Sequence, residues 1–67
     1  MISTFKIDGY KIRGALADSG LSVEQLSKRS GLAVVNIYRY CKGKGIKIEN
    51  LQKVAKALGV KPSSLIQ

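Results

Sequence analysis

Start and stop signals for helices divide most of this chain into short segments, and they constrain its fold more than any other feature. Ser22 and Gln25 have the spacing of a capping box, in which each side chain accepts a hydrogen bond from the other residue's backbone amide. Gly31 can adopt the left-handed conformation that ends a helix, and only a few residues separate it from the next helical segment. The sequence therefore predicts two short helices joined by a tight turn.

Similar signals mark the other helices. Asp8 is suited to cap a first helix, because its carboxylate accepts from the free amides at a helix start, and Gly20 is suited to end that helix. A later helix is predicted over about residues 48–58, with Gly59 as its stop. Pro62 fits the first position of a short last helix, where its missing amide hydrogen costs nothing. We therefore expect an all-α fold of five short helices.

The residues before the first cap form a separate segment. Phe5 and Ile7 alternate with Lys6, which is the spacing of an extended strand. Two arrangements satisfy this pattern: an arm that lies on the body of the same chain, and an arm that pairs with a second subunit. We divide the chain into an N-terminal arm at 1–7 and a helical domain at 8–67.

The composition limits how such a chain is stabilised and where it resides. The 67 residues include one cysteine, Cys41, and no histidine, so there is neither a disulfide framework nor a set of metal ligands. No apolar run approaches the roughly 20 residues of a membrane-spanning helix, and the N-terminus lacks the pattern of a secretion signal. We expect one small domain of packed helices in the cytoplasm, whose reducing environment suits a lone cysteine.

The positive charge is concentrated in one part of the chain. The net charge is +8, yet residues 1–27 carry equal numbers of acidic and basic side chains. Residues 28–67 carry nine of the 12 basic residues and a single acidic one, Glu49. This asymmetry favours a polyanionic partner, nucleic acid before membrane. The alternative is a solvated face that keeps a small protein dissolved.

The segment at about 33–42 has two contrasting faces when it is read with a helical period. One face carries Ile37, Tyr40 and Cys41. The other face carries two cations, an aromatic hydroxyl and two β-branched residues: Val34, Val35, Tyr38, Arg39 and Lys42. A helix held by a small core has little reason to expose such apolar residues. We interpret the segment as a recognition helix for the major groove of DNA.

These motifs, in this order and at these spacings, resemble the phage repressor and Cro-like (XRE-type) helix-turn-helix DNA-binding domains. The resemblance covers residues 12–66, and its other motifs are Gly20 with Leu21, Glu24 with Leu26, Gly31 with Leu32, Gly43 with Lys44, Ile48 with Glu49 and Leu51, and residues 55–60. It implies a lambda-repressor-like bundle of five short helices whose third helix reads double-stranded DNA. It also implies a small transcriptional regulator, a repressor or Cro-like protein, that binds its operator as a homodimer.

The chain departs from the family's pattern at several positions. Val23 stands where the family usually has a phosphate-binding glutamine, so backbone amides would make that contact here. Ala33 replaces a polar cap, which should weaken the third helix by about 1 kcal/mol. Leu16 and Cys41 together replace an arginine and a glutamate that some members pair. We expect these two side chains to touch in the core, because an apolar pair can replace an ion pair without loss of stability.

The outward face suggests how DNA bases would be read. Arg39 suits a guanine edge, since its planar fork can bond both acceptors there; the alternative is a phosphate contact only. Val34 and Val35 suit the methyl group of thymine, or else lie partly buried against a neighbouring helix or subunit. Tyr38 can donate to a base or to a phosphate, or lie half-buried as a surface ring.

Contacts with the DNA backbone are expected around the rim of this helix. The expected phosphate-binding residues are Ser22, Val23, Lys28, Asn36, Lys42, Lys44 and Lys47. Asn36 is placed at the DNA backbone or in solvent. Five or six such contacts predict that affinity falls steeply with salt concentration, because each neutralised phosphate releases counterions.

Catalysis is not expected. The chain has no histidine, its four acidic residues are scattered, and no phosphate-cradling glycine loop is present. Cys41 falls on the inward face without a base to activate it, which indicates a structural thiol. We expect no cofactor, metal or small-molecule substrate. Two other functions remain open: a protein-interaction module, such as an antitoxin or the partner-binding part of a larger regulator, and a cationic binder of membranes or RNA.

Overall fold

The computed structural model describes residues 4–66, which form four α-helices, two short strands and a final 3₁₀ turn. In chain order the elements are β1 (Thr4–Lys6), α1 (Gly9–Ser19), α2 (Val23–Ser30), α3 (Val34–Cys41), β2 (Gly45–Lys47), α4 (Ile48–Leu58) and the 3₁₀ turn (Pro62–Leu65). The expected helix-turn-helix is the pair α2 and α3.

The helix boundaries follow the local signals in the sequence. The Asp8 carboxylate accepts from the backbone amides of Tyr10 and Lys11 at 3.0 and 3.3 Å. Ser22 and Gln25 form the capping box, with bonds of 3.1 and 2.8 Å. Gly31 ends α2 with a φ of 75°, a conformation that side chains with a Cβ rarely adopt. The predicted starts and stops of α1 and α2 are therefore confirmed.

The predicted count of five helices is wrong by one, because the last segment is a 3₁₀ turn of four residues. The Ser64 amide donates to the Lys61 carbonyl at 3.0 Å, and the Ser64 hydroxyl donates to the same oxygen at 2.6 Å. These bonds close the turn over three residues, whereas an α-helix needs four. Ile66 is then extended and forms a β-bridge with Ile7.

The N-terminal arm lies on the body of its own chain. β1 and β2 form a two-stranded antiparallel sheet in which Thr4 pairs with Lys47, Phe5 with Ile46 and Lys6 with Gly45. Ile46 is buried, so the Phe5 and Ile46 side of this sheet faces the core. The sequence left the arm's position open and predicted no second strand. Residues 1–3 of the arm lie outside the described residues.

The core consists of apolar side chains from every helix, from β2, from the residue after β1 and from the 3₁₀ turn. Its buried members are Ile7, Ile12, Leu26, Leu32, Ile37, Tyr40, Ile46, Leu51, Val54, Ala55, Leu58 and Leu65. The predicted inward residues of α3 and α4 are all among them or, like Cys41, packed against them. Ile7, assigned to the arm from the sequence, is fully buried.

Candidate nucleic-acid interface

The turn between α2 and α3 is held by two serine side chains. The Ser27 hydroxyl donates to the Leu32 carbonyl, and the Ser30 hydroxyl donates to the Leu26 carbonyl at 2.7 Å. The Leu32 amide in turn donates to the Ser30 hydroxyl at 3.3 Å. Both backbone groups of Leu32, the residue after Gly31, are thus bonded to serine side chains of α2, which holds the start of α3 against α2. These bonds were not predicted from the sequence, although small polar residues around a helix-ending glycine are a usable signal.

Helix α3 presents the predicted side to solvent. Ile37 is fully buried and Tyr40 is 5% exposed, whereas Val35 is 61% and Tyr38 is 48% exposed. Arg39 is exposed as well. An exposed valine beside an exposed tyrosine and an arginine leaves an amphipathic surface of about one helical turn, which is a suitable size for the edges of a few base pairs.

The first residue of α3 is less accessible than the rest of this side. Val34 is half-buried, so only part of its side chain reaches solvent. Ala33 precedes it as the N-cap and makes no side-chain cap hydrogen bond, as expected from the missing polar residue. The amides at the start of α3 therefore lack a side-chain partner from the cap position.

Two contacts from other elements hold the C-terminal end of α3. The Asn50 amide nitrogen on α4 donates to the Tyr40 hydroxyl at 3.1 Å. Gly9, at the start of α1, lies so close to the Cys41 carbonyl oxygen that a Cβ on Gly9 would overlap it. Helix α3 packs against α1 and α2 and is tied to α4 by the Asn50 bond, so its outward side chains start from a fixed backbone.

A cleft of about 560 Å³ runs beside α3. Its lining residues are Thr4, Asn36, Arg39, Tyr40, Lys44, Gly45, Lys47 and Asn50. The fold thus brings Arg39 together with three of the predicted phosphate-binding residues. Thr4, Tyr40 and Asn50 were not predicted for this site, because their proximity depends on how β1 and α4 pack. The cleft carries three cationic side chains, which suits an anionic partner.

The remaining predicted phosphate-binding residues lie outside this cleft. Ser22 caps α2, and its hydroxyl already accepts from the Gln25 amide. Val23 is half-buried against the core, so a contact there would use its backbone amide, as expected. Lys28 on α2 and Lys42 at the end of α3 are exposed.

Cys41 lies half-buried against the core at the end of α3. Burial raises the pKa of the Cys41 thiol, and the positive charge of Arg13 opposes this effect only in part. The protonated thiol is a poor nucleophile, which agrees with a structural role. Leu16 also packs against the core, and its contact with Cys41 stays a prediction.

Slow alkylation of Cys41 is the expected consequence. At pH 8 the native protein should react with iodoacetamide several-fold more slowly than the same protein in denaturant, because less thiolate is present and the sulfur is partly covered. The folded state binds the thiol proton more tightly than the unfolded state does. Cys41 therefore makes its full contribution to the free energy of unfolding at pH values below the ordinary thiol pKa. That contribution is lost as the pH rises through the raised value. Equal alkylation rates for the native and the denatured protein would contradict the raised pKa and the partial burial of Cys41.

Membrane-spanning and metal-binding features are not found within the described part of the chain. None of the helices in residues 4–66 combines the length and apolarity that crossing a bilayer requires. In the same residues, no three cysteine or acidic side chains are grouped closely enough to hold a metal ion.

Solved structures with the same fold include a controller protein and a gene regulator. The restriction-modification controller protein C.AhdI from Aeromonas hydrophila is 30% identical, with a TM-score of 0.80 over 87% of this chain and 89% of that one. The clp gene regulator ClgR from C. glutamicum is 27% identical, with a TM-score of 0.74 over 82% of this chain and 73% of that one.

A second group of similar structures shares the fold alone. A variant of 2-hydroxyethylphosphonate dioxygenase is 22% identical, with a TM-score of 0.80 over 91% of this chain but only 15% of that one. This chain therefore corresponds to a small part of that enzyme. No curated protein sequence matches the chain.

The family model for the Cro/C1-type helix-turn-helix DNA-binding domain matches residues 11–67. That range contains α2, its turn, α3 and the whole of the cleft except Thr4. With this match, the serine-held turn and the outward side of α3, the chain belongs to the Cro/C1-type helix-turn-helix DNA-binding domain family.

Proposed function

We propose that this protein binds a specific site in double-stranded DNA and regulates transcription from it, with α3 in the major groove. The observation that carries the proposal is the outward side of α3, where Val35, Tyr38 and Arg39 are exposed while Ile37 and Tyr40 anchor the helix. The similarity to C.AhdI and ClgR, a controller protein and a gene regulator, supports the regulatory role.

Each outward side chain has a proposed task in reading the bases. Arg39 donates two parallel hydrogen bonds to a guanine edge, and Val35 contacts a thymine methyl group. Tyr38 donates its hydroxyl hydrogen to a base or a phosphate. Val34 is half-buried, so only the exposed part of its side chain makes an apolar contact, at the edge of the same surface.

The DNA backbone is held by residues on both sides of α3. The proposed phosphate-binding residues are Ser22, Val23, Lys28, Asn36, Lys42, Lys44 and Lys47. Those that line the cleft lie on the α4 side of the recognition helix, and the others lie on α2 or at the end of α3. Phosphate contacts on both sides fix the register of the helix in the groove.

The active form on DNA is a homodimer that acts in the cytoplasm. A single domain of this size reads only a few base pairs, so two copies on half-sites about one helical turn apart give useful specificity. The protein is a binding protein in this proposal, without catalysis, cofactor or small-molecule substrate.

Selection from a random duplex library tests the proposal directly. We expect enrichment of a two-fold symmetric site. Affinity for that site should fall steeply between low and moderate salt, because each subunit neutralises about five or six phosphates. A plot of the logarithm of the association constant against the logarithm of salt concentration should have a slope of about −5 per bound subunit. Failure to enrich any duplex, or an affinity independent of salt, would overturn the proposal.

A protein-interaction module is the second candidate. The exposed apolar surface of Val35 and Tyr38 favours it, since such side chains also suit the surface of a partner protein. This candidate would be preferred if the protein retained no random duplex at low salt while remaining folded.

A further inference from the structure

The sheet formed by β1 and β2 has one apolar face and one cationic face. Side chains alternate along a strand, so the pairing of Phe5 with Ile46 defines the face that is directed to the core. Thr4, Lys6 and Lys47 belong to the opposite face and are exposed. We call this opposite face the outer face of the ribbon.

The outer face continues the surface of the recognition helix. Thr4 and Lys47, which pair across the two strands, line the same cleft as Arg39 and Asn36 of α3. Lys6 pairs with Gly45, which also lines the cleft. Because Gly45 has no side chain, nothing on that residue separates Lys6 from the cleft.

The charges on this surface all have the same sign. Arg39, Lys44 and Lys47 line the cleft, Lys6 stands next to it, and none of the described lining residues is acidic. Like charges held on adjacent strands and loops repel one another, and a row of phosphates relieves this repulsion while releasing counterions.

We propose that the outer face of the ribbon is a second DNA-binding element, in which Lys6 and Lys47 bind phosphates that flank the bases read by α3. The inference rests on the proposed function and adds Lys6 and Thr4 to its DNA-binding residues. Lys6 lies in the charge-balanced part of the sequence, and the pairing of β1 with β2 moves it beside the recognition helix.

The matched variants for the test are Lys6→Gln and Lys61→Gln. Both remove one exposed positive charge, but Lys61 precedes the 3₁₀ turn and does not line the cleft. On the duplex selected by the wild type, Lys6→Gln should lower affinity about fivefold or more and reduce the salt slope by about one unit per subunit. Lys61→Gln should change affinity less than about twofold, because it loses only long-range attraction that salt screens. Thermal unfolding of both variants checks that they are folded.

Single uncharged methylphosphonates in the selected duplex locate the contact. One at the phosphate bound by Lys6 should weaken the wild type and leave Lys6→Gln unaffected, since the variant has already lost the charge that binds there. One at the phosphate bound by Lys47 should weaken both proteins.

The outcomes separate this inference from the function on which it rests. If the wild type enriches no duplex, both proposals fail. If the wild type binds a selected site but Lys6→Gln and Lys61→Gln behave alike, the ribbon inference alone is overturned. A larger effect of Lys6→Gln on binding to anionic lipid vesicles than on binding to the duplex would also overturn it.

Discussion

A Gly9→Ala variant should lose about 3 kcal/mol of its free energy of unfolding. Gly9 begins α1, and a Cβ at this position would overlap the Cys41 carbonyl oxygen and lie 3.2 Å from the Gly43 amide nitrogen. Both neighbours are backbone atoms, so no side-chain rotation relieves the overlap, and α1 must move away from the end of α3. For a domain of this size the midpoint of thermal unfolding should fall by about 10 °C or more.

Gly14→Ala is the matched control in the same helix. A Cβ on Gly14 would have no neighbouring atom within 4 Å, and the φ angle of Gly14 is not positive. Alanine there should therefore raise the free energy of unfolding by about 0.5–1 kcal/mol, through helix propensity and a less flexible unfolded chain. Thermal or denaturant unfolding followed by circular dichroism compares the two variants. If both were equally stable, the close approach of α1 to α3 at Gly9 would be refuted.

The two glycines also show what kind of information a sequence contains. A glycine in a predicted helix indicates either weak propensity or close approach of another backbone, and the sequence alone does not decide between the two for Gly14. The structure places the close approach at Gly9 instead and leaves Gly14 open. The distinction depends on which helix ends meet, which local spacing does not specify.

The helix boundaries were predictable because the interactions that set them are local. The Asp8 cap and the box of Ser22 with Gln25 join residues no more than three positions apart, and Gly31 acts through its own φ angle. The burial of Ile37 and Tyr40 follows from helical period alone.

The ribbon and the cleft were not predictable in the same way. The pairing of Thr4 with Lys47 joins residues far apart in the sequence, and no second strand was predicted. The hydrogen bond from Asn50 to Tyr40 likewise depends on how α4 packs on α3. The outward side of α3 was thus foreseen, whereas the cleft beside it required the tertiary structure.

Arg39→Ala should remove the preference for one guanine in the selected site. A bidentate arginine contact discriminates between bases by roughly 1–3 kcal/mol, so affinity for the selected site should fall by about tenfold to a hundredfold. Affinity for a duplex with that guanine replaced should change much less. Arg39 also lines the cleft beside Lys44 and Lys47, so the competing role is a phosphate contact. If Arg39 bound only a phosphate, Arg39→Ala would lower affinity by the same factor for every DNA sequence.

Arg39→Lys and Lys44→Gln separate these two roles. Lysine keeps the charge but not the planar fork, so Arg39→Lys should retain the salt slope and lose the base preference. Lys44→Gln should do the reverse: affinity should fall on all sequences and the salt slope should shrink by about one unit per subunit, while the base preference is preserved. The preferences are measured by repeating the selection with each variant, and the slopes by salt titration. If Arg39→Ala selected the same bases as the wild type, Arg39 would bind phosphate only, and base reading by α3 would depend on Val35 and Tyr38.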